Sequence, residues 1–178
     1  MSPRMDAWSW PSVCGHTPAY AIERSVTCAD SKAMVLVSIT RLRIRSLRFM
    51  PRFVIHAVGS VRQTRQADGF VAGSLLRDRK RTFWTMTVWR DQAAMRAFMS
   101  SGAHLRAMPK LLDWCDEASV AHWTQSETTP PDWATADARM RAEGRPSKVR
   151  HPSPNHNQLA YDPPRSGAGA PIRSVSPG

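Results

Sequence analysis

A histidine and four aromatic residues lie close together within residues 83–104 of this sequence, and these side chains could form a small-molecule site. The aromatic residues are Phe83, Trp84, Trp89 and Phe98. His104 follows the helix-interrupting sequence Ser-Ser-Gly, where a polar side chain can be aimed into an otherwise apolar pocket. Because the imidazole pKa lies near neutrality, His104 could transfer a proton there. We therefore take His104 as the candidate catalytic residue and the four aromatic residues as candidate substrate-binding residues.

A predicted strand followed by a broken helix positions these residues. Aromatic and β-branched side chains alternate, so Phe83 and Trp89 share one face of the strand and Trp84 lies on the other. Asp91 is placed to cap the helix that follows. The Ser-Ser-Gly sequence then divides the helical pattern of apolar residues. The expected helices are 92–100 and 103–117.

The remaining elements complete an alternating order of strand, helix, strand, strand, helix and strand. In the first helix the predicted apolar stripe includes Val54 and Val58. This order predicts an α+β fold of the ferredoxin-like split βαβ type, with a four-stranded antiparallel sheet and both helices on one face. The other expected elements are strand 34–43, helix 52–66, strand 70–76 and strand 118–124.

The third predicted strand is apolar on both faces, although the helices can cover only one of them. Trp84 and Val88 face one way and Phe83 and Trp89 the other. A second copy of the chain is the simplest cover for the remaining face, so we expect a homodimer.

The composition divides the chain into three parts. Residues 1–33 show no sustained periodicity and predict a poorly ordered extension, with Met34 as an alternative translation start to Met1. Residues 34–145 form the folded domain, including a helix at about 133–143 that docks on the domain or on a partner subunit. Residues 146–178 are rich in Pro, Ser, Gly and Arg and predict a disordered tail.

Charge and cysteine content limit the partners and the compartment. The net charge is +11, and residues 34–124 hold 15 Lys and Arg against 6 Asp and Glu. Clustered cations can bind nucleic acid, but no helix-turn-helix, zinc finger or RNA-binding strand accompanies them, so a solvated basic surface is favoured. The chain has neither a long apolar run nor a secretory signal, and its three cysteines form no disulfide or metal pattern. We expect a cytoplasmic protein with no membrane partner.

Two other residues carry side chains with chemical potential. His122 alternates with Trp123 on the fourth strand, where a hydrogen-bonded buried histidine is the favoured interpretation. Cys115 lies on an apolar helix stripe, which indicates an inert buried thiol. The sequence has no Ser-His-Asp spacing, no glycine-rich phosphate loop and no paired carboxylates, so hydrolase and nucleotide-binding functions are disfavoured.

Residues 83–89, together with Asp91, Met95, Phe98, Ser101–His104 and Trp114, resemble the dimeric α/β-barrel superfamily. The sequence is most similar to monooxygenase-like proteins related to spheroidene monooxygenase. More distantly, it resembles antibiotic biosynthesis monooxygenases and haem-degrading monooxygenases. The resemblance covers about residues 34–145 and implies the ferredoxin-like fold and dimerisation.

The resemblance also implies a function and two ways of carrying it out. The chain would be a monooxygenase-type oxidoreductase that acts on a small apolar or aromatic substrate. Some superfamily members hold haem through a histidine on the helix after strand three, which places His104 as the haem ligand, while others oxidise their substrates without a cofactor. The haem-degrading branch uses a Trp and a His near positions where this chain has Phe98 and Met108. A non-catalytic dimeric binding protein and a nucleic-acid-associated protein are the alternatives.

Overall fold

The computed structural model describes residues 33–165, 167 and 169–175. Residue 33 and those after it belong to one folding unit, and the extension predicted for 1–33 otherwise lies outside the described residues. The strands are β1 (Val35–Ile44), β2 (Phe70–Arg77), β3 (Thr82–Trp89), β4 (Cys115–Gln125), β5 (Arg145–Pro146) and β6 (Ala170–Arg173). The α-helices are α1 (Met50–Gln66), α2 (Gln92–Met99), α3 (Gly102–Trp114) and α4 (Trp133–Glu143), and short 3-10 turns span Leu47–Phe49 and Arg79–Arg81.

All the strands belong to one antiparallel sheet with the order β5-β4-β1-β3-β2-β6. Its four inner strands, in the order β4-β1-β3-β2, have the topology of the predicted split βαβ unit, and the α+β ferredoxin-like fold is confirmed. The sheet has six strands rather than four because the C-terminal part of the chain adds β5 to one edge and β6 to the other.

The strand register sorts the side chains of the sheet onto two faces. Phe53 of α1 contacts Phe83 at a ring distance of 4.8 Å, and Phe98 of α2 contacts Trp89 at 5.0 Å, so these helices lie over one face. We call this face the helix side; it includes Ser38, Thr40, Phe83, Thr85, Thr87, Trp89, Val120 and His122. We call the opposite face the covered face; it includes Val37, Ile39, Arg41, Leu76, Trp84, Met86, Val88, Ala121 and Trp123.

The covered face is buried by the chain itself. Trp133, Ala136 and Met140, which follow one another at helical spacing on α4, are buried in a single cluster with its apolar side chains. Tyr161 packs against the same cluster. The homodimer was expected because this face would otherwise be bare. That argument is wrong, since α4 and the segment after it occupy the position assigned to a second copy.

The segment after residue 145 was predicted to be disordered, and the structure instead shows it packed on the domain. The Ser147 N–H donates to the Ala118 carbonyl at 2.8 Å, and the Ser153 N–H donates to the Asp116 carbonyl at 2.9 Å. His156 is buried and its Nε2 lies 2.9 Å from the Ser147 carbonyl. Backbone hydrogen bonds to β4 and its surroundings thus order a segment whose composition is poor in apolar residues.

Charged side chains hold the same segment in place. Arg41 on β1 donates to buried Glu117 at 2.7 Å, and the Ser153 hydroxyl donates to the other oxygen of Glu117 at 2.8 Å. The Tyr161 ring lies close to two guanidinium groups, 4.1 Å from that of Arg41 and 4.4 Å from that of Arg141. These cation–π contacts supply the anchor that apolar side chains would usually provide.

The part of helix α1 that packs on the sheet is narrower than the apolar stripe predicted from its sequence. Phe53 and Thr64 are buried, and Ala57 packs against the core. Val54 and Val58 are exposed, together with Ile55 between them. The predicted apolar stripe spans a wider arc of the helix than the contact with the sheet, so the part that includes Val54 and Val58 faces solvent. Among the described residues, no helix is long and apolar enough to cross a membrane.

Candidate functional site

Hydroxyl side chains occupy the centre of the helix side. Ser38 on β1 pairs with Thr87 on β3, and Thr40 pairs with Thr85, so the four side chains form two adjacent rows. His122 on β4 pairs with Ser38 and extends the first of these rows. Ser38, Thr40, Thr85 and His122 are only partly buried. Directly opposed strand residues have Cβ atoms about 5 Å apart, so one small molecule can reach several of these groups.

Most of these hydroxyls remain available for a ligand. The Trp89 indole N–H donates to the Thr87 hydroxyl at 2.9 Å, and that hydroxyl lies 3.4 Å from the Ser38 carbonyl. Within the described ranges, the hydroxyls of Ser38, Thr40 and Thr85 have no hydrogen-bond partner. Since these groups point toward the helices, they can bind the oxygen atoms of a molecule held between the helices and the sheet.

An aromatic row closes one end of this region. Ring centroids are 5.5 Å apart for Phe70 and Trp89, 5.0 Å for Trp89 and Phe98, and 4.7 Å for Phe98 and His104. Three of the predicted site residues, Trp89, Phe98 and His104, are therefore brought together. Trp89 and Phe98 are buried, so they form the wall and support the histidine rather than presenting open ring faces.

A second aromatic group closes the opposite end. Partly buried Phe83 packs against Phe53, and Trp114 packs against both Phe49, at 6.4 Å, and His56, at 5.5 Å. Phe83 thus lies on the predicted side of the sheet but at the far end of β3 from Trp89. The polar centre is bounded by aromatic side chains at both ends.

Trp84 does not belong to this site. It lies on the covered face, fully buried, and packs edge-on against Tyr161 at 5.6 Å. Its assignment as a substrate-binding residue is therefore not supported by its position, because the sheet separates it from Phe83, Trp89 and Phe98. The alternation along β3 predicted this separation, but the assignment grouped all aromatic residues of the strand together.

Gln63 and Gly102 fix the position of His104. The Gln63 side chain accepts from the His104 backbone N–H at 2.9 Å and donates to the carbonyls of Phe98 and Ser101 at 3.1 Å. It thereby caps α3 from the neighbouring helix, where no side-chain cap comes from Ser101 itself. Gly102 has φ +56°, and a Cβ there would lie 2.6 Å from the Gln63 Oε1. The break between α2 and α3 therefore requires a glycine two residues before His104.

Burial favours the neutral form of the His104 imidazole. Burial lowers its pKa below the ordinary value, and the hydrogen bond from Nδ1 to the Met99 carbonyl at 3.4 Å opposes that shift only in part. A neutral ring whose Nδ1 faces a carbonyl presents the lone pair of Nε2, which is the form that accepts a proton or binds iron. The donor chemistry of His104 therefore fits a residue that would bind haem iron. The described residues contain no cluster of three His, Cys, Asp or Glu that could hold a bare metal ion.

His122 was interpreted as a core residue, but its position makes it a second candidate base. Burial lowers its pKa to about 4, and the positive charge of Arg145 adds to this effect. Arg145 comes from β5, opposite Val120 on the neighbouring row. The pairing of His122 with Ser38, which no local pattern reveals, places its neutral ring beside the free hydroxyls.

Cys115 takes no part in this chemistry. It is fully buried, and burial together with the nearby Asp116 carboxylate raises the pKa of its thiol to about 12. A thiol that stays protonated is a poor nucleophile, which agrees with the prediction of an inert buried thiol.

Residues 52–110 match the sequence model of the antibiotic biosynthesis monooxygenase family, which supports the predicted resemblance. The matched range runs from α1 into α3 and contains His104, Phe98 and the whole of β3. No curated protein is similar enough to count as a relative.

Several solved structures are similar to part of this chain at low identity. SnoaB of Streptomyces nogalater, described as a cofactor-independent oxygenase, is 19% identical over 55% of this chain and 98% of its own, with a TM-score of 0.45. A conserved protein of Methanosarcina mazei is 10% identical over 52% of this chain and 93% of its own, with a TM-score of 0.47. Rv0793 of Mycobacterium tuberculosis is 14% identical over 50% of this chain and 92% of its own, with a TM-score of 0.45.

Proposed function

We propose that this protein is a monooxygenase-type oxidoreductase that oxidises a small aromatic substrate between the helix side of the sheet and helices α1 and α3. The observation that carries the proposal is the group of free hydroxyls on Ser38, Thr40 and Thr85, with the neutral His122 beside them. The match of residues 52–110 to a monooxygenase family covers most of α1 and α3, all of α2 and, of the strands that carry this group, β3.

The free hydroxyls favour an aromatic substrate that carries oxygen atoms of its own. Phe83 offers a partly exposed ring for packing, while Thr40 and Thr85 can hydrogen-bond to phenol or quinone oxygens. A neutral imidazole on His122 or His104 can accept the phenolic proton, which raises the electron density of the ring. The basic surroundings of Arg145 would stabilise the resulting anion.

The overall step balances without an external reductant when the substrate has an oxidisable CH2 group beside the ring. One oxygen atom of O2 becomes the oxygen of a new C=O group and the other leaves as water with both hydrogen atoms of the CH2. The substrate supplies all the electrons, and the protein's task is to hold the ring and move protons. If haem is bound instead, it would supply an iron centre for oxygen activation, and His104 is the residue that would hold it.

Dimerisation is a separate part of the proposal. Proteins of this family are commonly dimeric. Because α4 already buries the covered face, a dimer of this chain would form by exchange of α4 between subunits or through a different surface. Light scattering of the intact chain measures the outcome directly.

Oxygen uptake with a panel of hydroxylated aromatic compounds, including anthrones and quinols, tests the activity. We expect turnover that falls at least about tenfold in His122→Asn and in Thr85→Val, since each loses one proton-accepting or hydrogen-bonding group. Trp84→Phe, on the covered face, is the matched control and should retain activity. Binding of a panel compound with no oxygen uptake by the wild type would instead identify a non-catalytic binding protein.

Addition of haem to the purified protein separates the two forms of the chemistry. A Soret band that disappears in His104→Ala would assign His104 as the iron ligand. Oxygen uptake without any Soret band would assign the cofactor-independent form, with His104 as a proton acceptor. Circular dichroism of His104→Ala should remain that of the wild type, because its backbone N–H, not its ring, makes the bond to Gln63.

A further inference from the structure

The outer surface of α1 exposes an aliphatic patch that the proposed site does not use. The exposed fractions are 69% for Leu47, 46% for Val54, 70% for Ile55 and 46% for Val58. Leu47 lies in the 3-10 turn that leads directly into the helix. The opposite side of α1 packs on the sheet through Phe53. The patch is therefore not part of the core, and its apolar residues are grouped rather than scattered.

Arginines lie among these aliphatic residues. Arg52 is one helical turn from Ile55, Arg62 is one turn from Val58, and Arg48 adjoins Leu47; all three are exposed. Within the described part of the chain none of the three forms a salt bridge. The sequence between Asp30 and Asp68 contains no carboxylate at all, so nothing on this helix neutralises them.

We propose that this surface, formed by Leu47, Val54, Ile55 and Val58 with Arg48, Arg52 and Arg62, docks on an anionic phospholipid bilayer. The aliphatic side chains of this surface can enter the boundary between the lipid headgroups and the acyl chains. The arginines keep their charged ends at the level of the lipid phosphates while their stems lie along the apolar surface. Docking of this kind needs no spanning helix, so the lack of a long apolar run, on which the expectation of no membrane partner rested, does not oppose it.

Two other occupants fit the surface less well. A second copy related by a two-fold axis would bring the patch against itself, so arginines would meet arginines with no carboxylate to pair with. A nucleic acid would engage the arginines, but the aliphatic residues offer nothing to phosphates or base edges, and the patch has no aromatic ring on which a base could stack.

Sedimentation with vesicles tests the proposal on the full chain. We expect binding to vesicles of phosphatidylcholine and phosphatidylglycerol in equal parts, little binding to pure phosphatidylcholine, and weakening at raised salt. The double variant Arg52→Gln with Arg62→Gln should lower the partition coefficient about fivefold for each arginine removed. Ile55→Ser with Val58→Ser should lower it on the order of tenfold. The control Met34→Ser with Lys148→Gln changes one exposed apolar residue and one exposed cation outside the surface and should bind like the wild type.

Three results would overturn the proposal. The first is equal binding of the wild type to both vesicle types, or to neither. The second is unchanged binding in both double variants, each checked for folding by circular dichroism. The third is evidence for another occupant in a protein that does not bind the anionic vesicles. That evidence would be a wild-type dimer that Ile55→Ser with Val58→Ser converts to a monomer, or binding of a mixed-sequence DNA duplex.

Discussion

The two faces of the sheet differ in what they bury, although the same strands build both. On β3, Trp84 is 1% and Met86 0% exposed on the covered face, whereas Thr85 between them is partly exposed on the helix side. The covered face is apolar except around Arg41, while the centre of the helix side carries hydroxyls and an imidazole. A core gains stability by excluding water, and a site gives up some of that stability to keep polar groups available. The contrast supports the helix side as the proposed site.

The largest effect should come from removing the central side chain of the covered face. Trp84→Ala should lower the free energy of unfolding by about 3–5 kcal/mol, because it leaves a cavity beneath α4 and Tyr161. Urea denaturation measures it. Phe83→Ala changes the adjacent residue, which lies on the helix side. It should lower the free energy of unfolding by less, because the Phe83 ring is only partly buried. Equal losses would mean that the two faces do not differ as described.

Ending the chain after Arg145 tests whether the covered face depends on the C-terminal segment. We expect a loss of about 3 kcal/mol, since burying one large apolar side chain contributes about 1.5–3 kcal/mol and the segment buries Ile172 and packs Tyr161. The truncation also removes the hydrogen bond that the Ser153 hydroxyl donates to buried Glu117. Thermal denaturation measures the change. An unaltered melting temperature would agree with a disordered tail and contradict the packing.

The helix side should respond to acid through His122. Its pKa is lowered from 6.5 to about 4 in the folded state, so the unfolded chain binds a proton more readily within that pH window. Stability is therefore fully present above pH 6.5 and falls as the pH drops toward 4, with a slope of at most about 1.4 kcal/mol per pH unit.

Melting temperatures recorded across this window should fall less steeply in His122→Asn than in the wild type. His151→Asn, which changes an exposed histidine, is the control and should retain the wild-type slope. A slope that is the same in all three proteins would show that His122 is not buried as described.

The smallest effect on stability should separate two neighbouring threonines of the helix side. Thr85→Val removes a free hydroxyl and should change the free energy of unfolding by less than about 0.5 kcal/mol. Thr87→Val removes the acceptor of the Trp89 indole and should lower it by about 1 kcal/mol. Urea denaturation compares the two, and a larger loss in Thr85→Val would mean that its hydroxyl has a structural partner.

The sequence predicted the elements whose signals are local. Alternation along β3 placed Phe83 and Trp89 on one face and Trp84 on the other, and Ser-Ser-Gly predicted the break between α2 and α3. The helix at 133–143 was predicted from Trp133 and Met140, which the structure buries. In each case the pattern repeats within a few residues, so it does not depend on distant partners.

The sequence could not predict features that arise from distant pairings. His122 lies beside the proposed site because β4 pairs with β1 in the register that sets it against Ser38. Tyr161 is ordered by Arg41, far away in the sequence, and the composition around Tyr161 suggests disorder. Gln63 caps a helix other than its own. None of these contacts can be predicted from a pattern in the neighbouring residues of the sequence.

The two outermost strands also protect this protein from aggregation through its sheet edges. An open sheet edge offers unpaired N–H and C=O groups to any passing strand, and long flat edges promote aggregation. Here β5 and β6 are short, and each contains a proline, Pro146 or Pro171, which has no N–H to donate. The C-terminal segment thus blunts both ends of the sheet at once, and a chain that lost it would expose β2 and β4 as templates for intermolecular strand pairing.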